Sequence, residues 1–343
     1  MNHANRASIT KKKRCQSGLT LVELLVALGL GLLVVVIGGV MLLASRQGYD
    51  AVDSVTQIRD RQRLAIDLIS RTIVQTGFED FGAPIPTFRA NADKTALEPD
   101  IFGWNNAIYT PPDGLILSES NKIINSNRPG KCTTSDTACK NGSDILVVRY
   151  QGVSEPANPA KSDNTMLNCG GSGERGLVVN NLNERGVSIF HVDIGDDGEP
   201  SLYCAYYNQT TGQWVASNPL IEGVESFQLL YGTDGVTPNI APNLAQDSVA
   251  ERWLRADQLS VPGNAIATRN NWRRVRAVRV GLVLRGPVGS APQSIASTST
   301  PLGSAYTDGA NDAGSALAIT ADRRLRMTST FTVHLRNDLT MRN

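Results

Sequence analysis

An uncharged apolar stretch near the N-terminus constrains this 343-residue chain more than any other feature. It runs from residue 24 to residue 44, and a helix of that length extends for about 31 Å. Because the hydrocarbon core of a bilayer is roughly 30 Å thick, the stretch is long enough to span a membrane. A basic cluster at 11–14 precedes it and only Arg46 follows closely, which predicts a cytoplasmic N-terminus and an exported remainder from residue 46 onward.

One acidic residue, Glu23, lies immediately before this run, with the apolar residues Leu21 and Val22 on its other side. An unpaired charge at the position of Glu23 costs roughly 2.5–3.5 kcal/mol or more in a bilayer. A secretory signal cut near Leu42-Leu43-Ala44-Ser45 is one interpretation, and an uncut signal anchor is another. Neither interpretation explains Glu23, because an acid in this environment needs a partner.

The residues around Gly18 resemble the type III signal of type IV prepilins. A basic leader ends at Gly18, and Leu-Thr-Leu-Val-Glu and an apolar helix follow it. In that family a prepilin peptidase cuts after the glycine and methylates the new N-terminal residue, which would be Leu19. The family usually has Phe at this position, so Leu19 departs from the pattern. The resemblance also implies that Glu23 acts in subunit assembly.

Physical chemistry offers a reason for the acid. Cutting after Gly18 creates an ammonium group four residues before Glu23, and in a helical filament Glu23 can approach the Leu19 amine of a neighbouring subunit. Such a pair is much stronger in a low-dielectric environment than in water. Two other interpretations remain open: Glu23 neutralises the amine of its own chain, or it is protonated in the bilayer.

The helical pattern continues beyond the apolar stretch. Apolar residues recur on one helical face, with charged residues on the others, at Val55, Ile58, Ala65, Ile69 and Ile73. Gly77 is a suitable residue to end the helix. The sequence therefore predicts a leader at 1–18, a helix at 19–77 whose residues 24–44 cross the membrane, and a globular β-rich domain at 78–343.

After Gly77 the pattern changes to short strands separated by loops. The predicted strands are Asp144–Tyr150, Val187–Asp193, Ser201–Tyr207, Val224–Tyr231, Val275–Arg285 and Thr328–Leu335. The fifth strand alternates apolar residues with Arg279 and Arg285, as expected of an antiparallel sheet with one face covered by the amphipathic half-helix. These patterns predict an α+β fold, and the resemblance to type IV prepilins implies a pilin-like arrangement, with a long N-terminal helix packed on an antiparallel sheet. Two polar segments, 233–271 and 286–321, are predicted to be long loops.

Five cysteines occur, and Cys15 lies upstream of the predicted cut. The four that remain would form two disulfides in an oxidising compartment, with three possible connectivities. The shortest loops favour Cys132–Cys139 and Cys169–Cys204, and free buried thiols are the alternative. Zinc is disfavoured because no Cys-x-x-Cys pair occurs and the three histidines are scattered.

The sequence contains no familiar catalytic motif, which predicts a protein that is not an enzyme and needs no cofactor. His191 and His334 fall in strand patterns and are expected to be structural. The acidic loop with Asp193, Asp196 and Asp197 could offer oxygen ligands to calcium, although a β-turn is the simpler interpretation. A net charge of +1 predicts no nucleic-acid partner. The arginines between 273 and 285 are expected to keep a sheet edge soluble.

The globular region resembles the PilW-type minor pilins. The motifs that carry this resemblance are Asp144–Tyr150, Leu202–Cys204, Leu220–Gly232, Val275–Val280 and Phe331–Asn337. It implies a low-abundance subunit that helps to initiate a type IV pilus near its tip. Implied partners are other minor and major pilins, the prepilin peptidase and the inner-membrane assembly platform. The implied location is the bacterial inner membrane, crossed once, and then the pilus at the cell surface. Alternatives are a type II secretion pseudopilin, which would share every N-terminal feature, and a signal-anchored periplasmic binding protein or adhesin.

Overall fold

A computed structural model describes residues 18, 20–80, 98–107, 109, 140–177, 185–216, 219–291, 293, 296–307 and 312–337. The chain divides into two compact units, Met1–Asp50 and Ala51–Asn343. Helix α1, Leu21–Val74, contributes residues to both units. Two short helices, α2 (Ala256–Leu259) and α3 (Ala265–Trp272), occur late in the second unit.

The rest of the described second unit is built mainly from strands. In chain order they are β1 Ile101–Trp104, β2 Ile145–Tyr150, β3 Ser154–Glu155, β4 Asn158–Ser162, β5 Gly186–Ile194, β6 Pro200–Asn208, β7 Gln213–Ala216, β8 Ile221–Glu222, β9 Val224–Thr233, β10 Arg252–Leu254, β11 Val275–Arg285, β12 Ser297–Ser299, β13 Leu317–Ile319 and β14 Arg326–His334. The six strands predicted from the sequence correspond to β2, β5, β6, β9, β11 and β14.

Two antiparallel sheets organise these strands. The first has the order β1-β2-β5-β6-β7, with β8 also paired to β6. The second has the order β10-β9-β11-β14, and two separate hairpins pair β3 with β4 and β12 with β13. A long N-terminal helix together with antiparallel sheets confirms the predicted α+β fold class.

The second half of α1 packs within the unit that begins at residue 51. Most of the predicted apolar face is buried there: Ala65, Ile69 and Ile73 are fully inaccessible and Ile58 is nearly so, whereas Val55 is only half-buried. These side chains belong to the same apolar core as the strand residues Val278 and Val280.

The charged side of this half-helix is mostly exposed. Helix α1 ends at Val74, three residues before Gly77, the predicted end. Arg61 Nη2 pairs with Glu222 Oε2 at 3.0 Å, which links the helix to β8. After Val74 the chain turns, and Gly77 adopts a left-handed φ of 67° that side chains rarely tolerate.

The central strand β11 is covered on both faces rather than on one. It pairs with β14 from Ala277↔His334 to Arg285↔Arg326 without a register shift. On the face that carries Gly281, a Cβ atom added to this glycine would lie 2.4 Å from the Pro301 carbonyl oxygen, so the chain at Pro301 packs closely on this face. The single covered face expected from the sequence therefore underestimates the burial of this strand.

The segment 233–271, predicted to be a loop, contains β10, α2 and α3. Three residues anchor it: Leu254 and Leu259 are buried, and Trp272 is only 1% exposed. The Asn271 side chain donates to the carbonyl oxygens of Ile240 and Leu259, which satisfies polar groups inside the segment. The segment 286–321 likewise contains a small hairpin, β12–β13. Buried apolar residues and satisfied polar groups thus give the 233–271 segment its structure.

A buried acid joins the two sheets. Asp144 Oδ1 accepts the backbone N–H of Asn106 at 2.8 Å, and Asp144 Oδ2 accepts that of Leu229 at 2.7 Å. Burial raises the pKa of Asp144, and the nearby charge of Asp312 adds to the increase. This carboxyl group therefore fixes the end of the first sheet against β9.

Candidate functional site

The start of α1 is a reciprocal hydrogen-bonded cap. The backbone N–H and the hydroxyl group of Thr20 both donate to Glu23 Oε2 at 3.0 Å, and the Glu23 N–H donates back to Thr20 Oγ1 at 3.3 Å. This is a capping box, which satisfies backbone donors that the first turn of a helix leaves unpaired. Glu23 therefore has a partner in the isolated chain. Sequence reasoning missed Thr20, although the pattern Thr-x-x-Glu before an apolar run is its known signature.

The structure places Gly18 two residues before this cap, and Leu19 lies outside the described residues. The predicted cut therefore falls immediately before the helix. A cut there would leave Thr20 as the second residue of the mature chain, with its hydroxyl group already bonded to Glu23.

The first half of α1 exposes a continuous apolar surface. The large apolar side chains from Leu21 to Leu43 are 46–75% exposed. By length and composition, α1 is the one helix among the described residues that could cross a membrane. Because leaving each such side chain in water costs about 1.5–3 kcal/mol, this surface is stable only against lipid or other apolar helices.

The structure contains one of the two predicted disulfides, Cys169–Cys204. Cys132 and Cys139 lie outside the described residues. Both bridged cysteines are buried, and the backbone N–H of Cys169 donates to Ser188 Oγ at 3.0 Å. The bridge attaches the loop that follows β4 to strand β6.

A buried acid that sequence reasoning missed lies in the same loop. Glu174 is 1% exposed, and its Oε1 accepts a hydrogen bond from Asn168 Nδ2 at 2.7 Å. Burial raises the pKa of Glu174 to about 7, because the effect of burial is larger than the opposing effect of that hydrogen bond. A lone Glu in a polar loop carries no sequence signal of such burial.

The acidic loop between β5 and β6 does not bring its predicted calcium ligands together. Asp193 Oδ1 accepts the N–H of Ile194, and Asp197 Oδ1 accepts the N–H of Glu199, as in an ordinary turn. The loop instead contributes Glu199, whose carboxylate pairs with Arg285 at 2.9 Å and with Arg324 at 2.7 Å. Burial alone would raise the pKa of Glu199, but these two arginines outweigh it and lower the pKa.

One trio of acids does converge within the part of the chain that the structure describes: Asp234, Asp247 and Glu251. Protein groups already use these carboxylates. Asp234 Oδ2 pairs with Arg276 Nη2 at 3.2 Å and accepts the Ser248 N–H at 2.9 Å. Glu251 Oε2 accepts the Gly235 N–H at 2.6 Å. The trio therefore has a structural explanation as the clamp of the 233–251 loop.

The arginine-rich segment is part of this internal ion pairing. Three of its arginines, Arg276, Arg279 and Arg285, lie on β11, which is a central strand, so the predicted role at a solvent-facing sheet edge is wrong. Arg276 and Arg285 form the ion pairs described above, and Arg279 stacks over the Trp253 ring at 4.3 Å. These contacts leave little of the basic segment available to nucleic acid.

His191 is held between two aromatic rings, as expected of a structural histidine. Its ring centroid lies 4.0 Å from that of Tyr109 and 5.7 Å from that of Tyr203, and both pairs are stacked. The residue is buried in β5, so its chemistry is that of a packed aromatic side chain.

The described architecture combines an apolar N-terminal helix with antiparallel sheets, and the second half of the helix packs in the same core as their strands. Residues 189–337 match the family model of PilW, the type IV pilus-assembly protein W. This match supports the resemblance to PilW-type pilins that the sequence motifs indicate, over a region that is less than half of the chain.

One solved structure is distantly similar over most of its length. It is a type IV-like pilin from Thermus thermophilus, with 11% sequence identity over 81% of this chain and 94% of that chain, and a TM-score of 0.35. A likeness this distant defines neither fold nor function. No curated protein matches the sequence.

Proposed function

We propose that this protein is a minor pilin that helps to initiate a type IV pilus and lies near its tip. It is made as a precursor that crosses the bacterial inner membrane once, with a cytoplasmic N-terminus, and later enters the pilus. Its partners are the prepilin peptidase, the assembly platform and other pilins. The single observation that carries this proposal is the helix start: Gly18 precedes a capped, exposed apolar helix. The PilW match favours the pilus over a secretion pseudopilin.

Processing tests the first part of the proposal. When the chain is expressed with a prepilin peptidase, we expect mass spectrometry to find a start at Leu19, with or without one added methyl group. Gly18→Arg should stay uncut, while the small residue in Gly18→Ala should be tolerated. Recovery of the intact precursor, or of a chain trimmed beyond Ala44, would contradict the proposal.

The capping box allows the charge of Glu23 to be tested apart from its role in the helix. Glu23→Ala would remove both, whereas Glu23→Gln keeps a side chain that fits the third position of a capping box and removes only the charge. The matched control is Thr20→Ala, which loses the cap but keeps the carboxylate. Removing a cap costs about 0.5–2 kcal/mol, so Thr20→Ala is a mild change.

If Glu23 pairs with the Leu19 amine of a neighbour, Glu23→Gln should be processed but poorly incorporated into filaments. Thr20→Ala should be incorporated nearly normally. Immunoblotting of sheared filaments measures both. The reverse pattern would show that the carboxylate acts only as a helix cap.

A further inference from the structure

A polar cleft of about 480 Å³ lies beside β14. Its lining residues come mainly from β12, which forms one wall, and from residues 322–328. Ten of its thirteen described lining residues are polar or charged. Ligand pockets of this size are usually lined by apolar side chains, so this cleft is suited to a hydrophilic ligand.

Two arginines at the cleft are already used by the fold. Arg324 pairs with Glu199 at 2.7 Å. Arg326 pairs with Glu225 at 2.6 Å and with Asp322 at 2.7 Å. The hydrogen bonds from Arg326 also lower the pKa of Asp322 to about 2, so this acid is ionised and its charge is neutralised in place.

Arg323 differs from both neighbours. Its side chain is exposed on the cleft and forms no salt bridge with any residue that the structure describes. Its backbone has a left-handed φ of 56°, which is uncommon for arginine. The Arg323 carbonyl oxygen accepts the N–H groups of Gly289 and Ala291, which holds this conformation. The cleft therefore presents one available guanidinium group on a fixed backbone.

The β12 wall supplies hydroxyl groups. Ser297 and Thr298 are exposed there, and Ser299 Oγ lies 2.6 Å from Thr328 Oγ1, which links β12 to β14. Hydroxyl groups both donate and accept hydrogen bonds, and a guanidinium group binds a carboxylate in a two-pronged geometry. Ile319 and Leu325 add a small apolar surface of the kind that the C–H face of a sugar ring can cover.

From this juxtaposition we infer that the cleft binds an acidic sugar, with the carboxylate on Arg323 and the sugar hydroxyl groups on the β12 wall. This site is independent of the processing and assembly of the helix. It would give the subunit a contact with carboxylated glycans, whether free or in a polysaccharide.

The test uses the full chain in detergent and three probes: galacturonate, galactose and inorganic phosphate. Galacturonate and galactose differ only in the carboxylate at C6. We expect calorimetric titration to show at least tenfold tighter binding of galacturonate than of galactose. Arg323→Gln should remove this preference, while Arg252→Gln, at another exposed arginine, should leave it unchanged. Thr298→Val should weaken both sugars severalfold.

Equal binding of the two sugars would overturn the inference, as would an Arg323→Gln variant that keeps the preference for galacturonate. Phosphate that binds as tightly as galacturonate and displaces it would also overturn it, because the cleft would then be a simple anion site. The melting temperature of Arg323→Gln should match that of the wild type because the side chain is exposed, so a loss of binding would not reflect unfolding.

Discussion

Replacing Glu174 by Gln should change how the stability of the globular unit depends on pH. The Glu174 side chain is buried, and its pKa rises from 4.5 to about 7 on folding. A carboxyl group with a raised pKa favours the folded state below its unfolded pKa, and this contribution is lost as the pH rises through the folded value. The shift corresponds to a loss of about 3 kcal/mol between pH 4.5 and pH 8.

Glu174→Gln is neutral at every pH and should lack this loss. Its Oε1 can still accept the hydrogen bond from Asn168, so the local geometry is kept. We expect urea unfolding of residues 51–343 to show the variant gaining about 3 kcal/mol relative to wild type between pH 4.5 and pH 8. The control is Asp196→Asn, an exposed acid whose curve should run parallel to that of the wild type. Parallel curves for Glu174→Gln and the wild type would refute the burial argument.

Three further predictions concern the core, the disulfide and the acidic loop. Ile69→Ala should destabilise the globular unit by about 2–5 kcal/mol in urea unfolding, because Ile69 is fully buried. The control is Leu64→Ala on the same helix. Because Leu64 is 53% exposed, this change should alter the free energy of unfolding by less than about 0.5 kcal/mol. Equal losses would contradict the observed helix face. Cys169→Ser opens a crosslink with a sequence separation of 35 and should cost about 3–4 kcal/mol, and adding reductant should lower the melting temperature of the wild type by more than that of the variant. Millimolar calcium should leave the melting temperature unchanged, because Asp193 and Asp197 already accept backbone N–H groups; a rise of several degrees would restore the calcium hypothesis.

Much of the architecture follows from patterns that are local in sequence. The buried face of α1 is predictable residue by residue, because the period of 3.6 places Ile58, Ala65, Ile69 and Ile73 on one side of a helix. The six main strands follow in the same way from alternation. The candidate cleavage site and Glu23 are equally recognisable, because their signal is a short motif beside a long apolar run.

Other features depend on contacts between distant segments. The arginines of β11 are predicted to face solvent, yet Arg285 meets Glu199 and Glu225 from other parts of the chain. The acidic loop that ends at Glu199 suggests a cation site, yet Glu199 itself neutralises two arginines, Arg285 and Arg324. No local period encodes such pairs, because their partners lie 60 to 125 residues away in the chain.

The order of residues is enough to predict a membrane-length apolar helix, a candidate processing motif in front of it and a β-rich region behind it, because composition and period are properties of neighbouring residues. Folding in three dimensions settles which charges are paired, buries Glu174, and leaves Arg323 available beside a wall of hydroxyl groups. Burial and ion pairing arise only when strands and loops from different parts of the chain meet, and the free energy of a charged group depends on what surrounds it there.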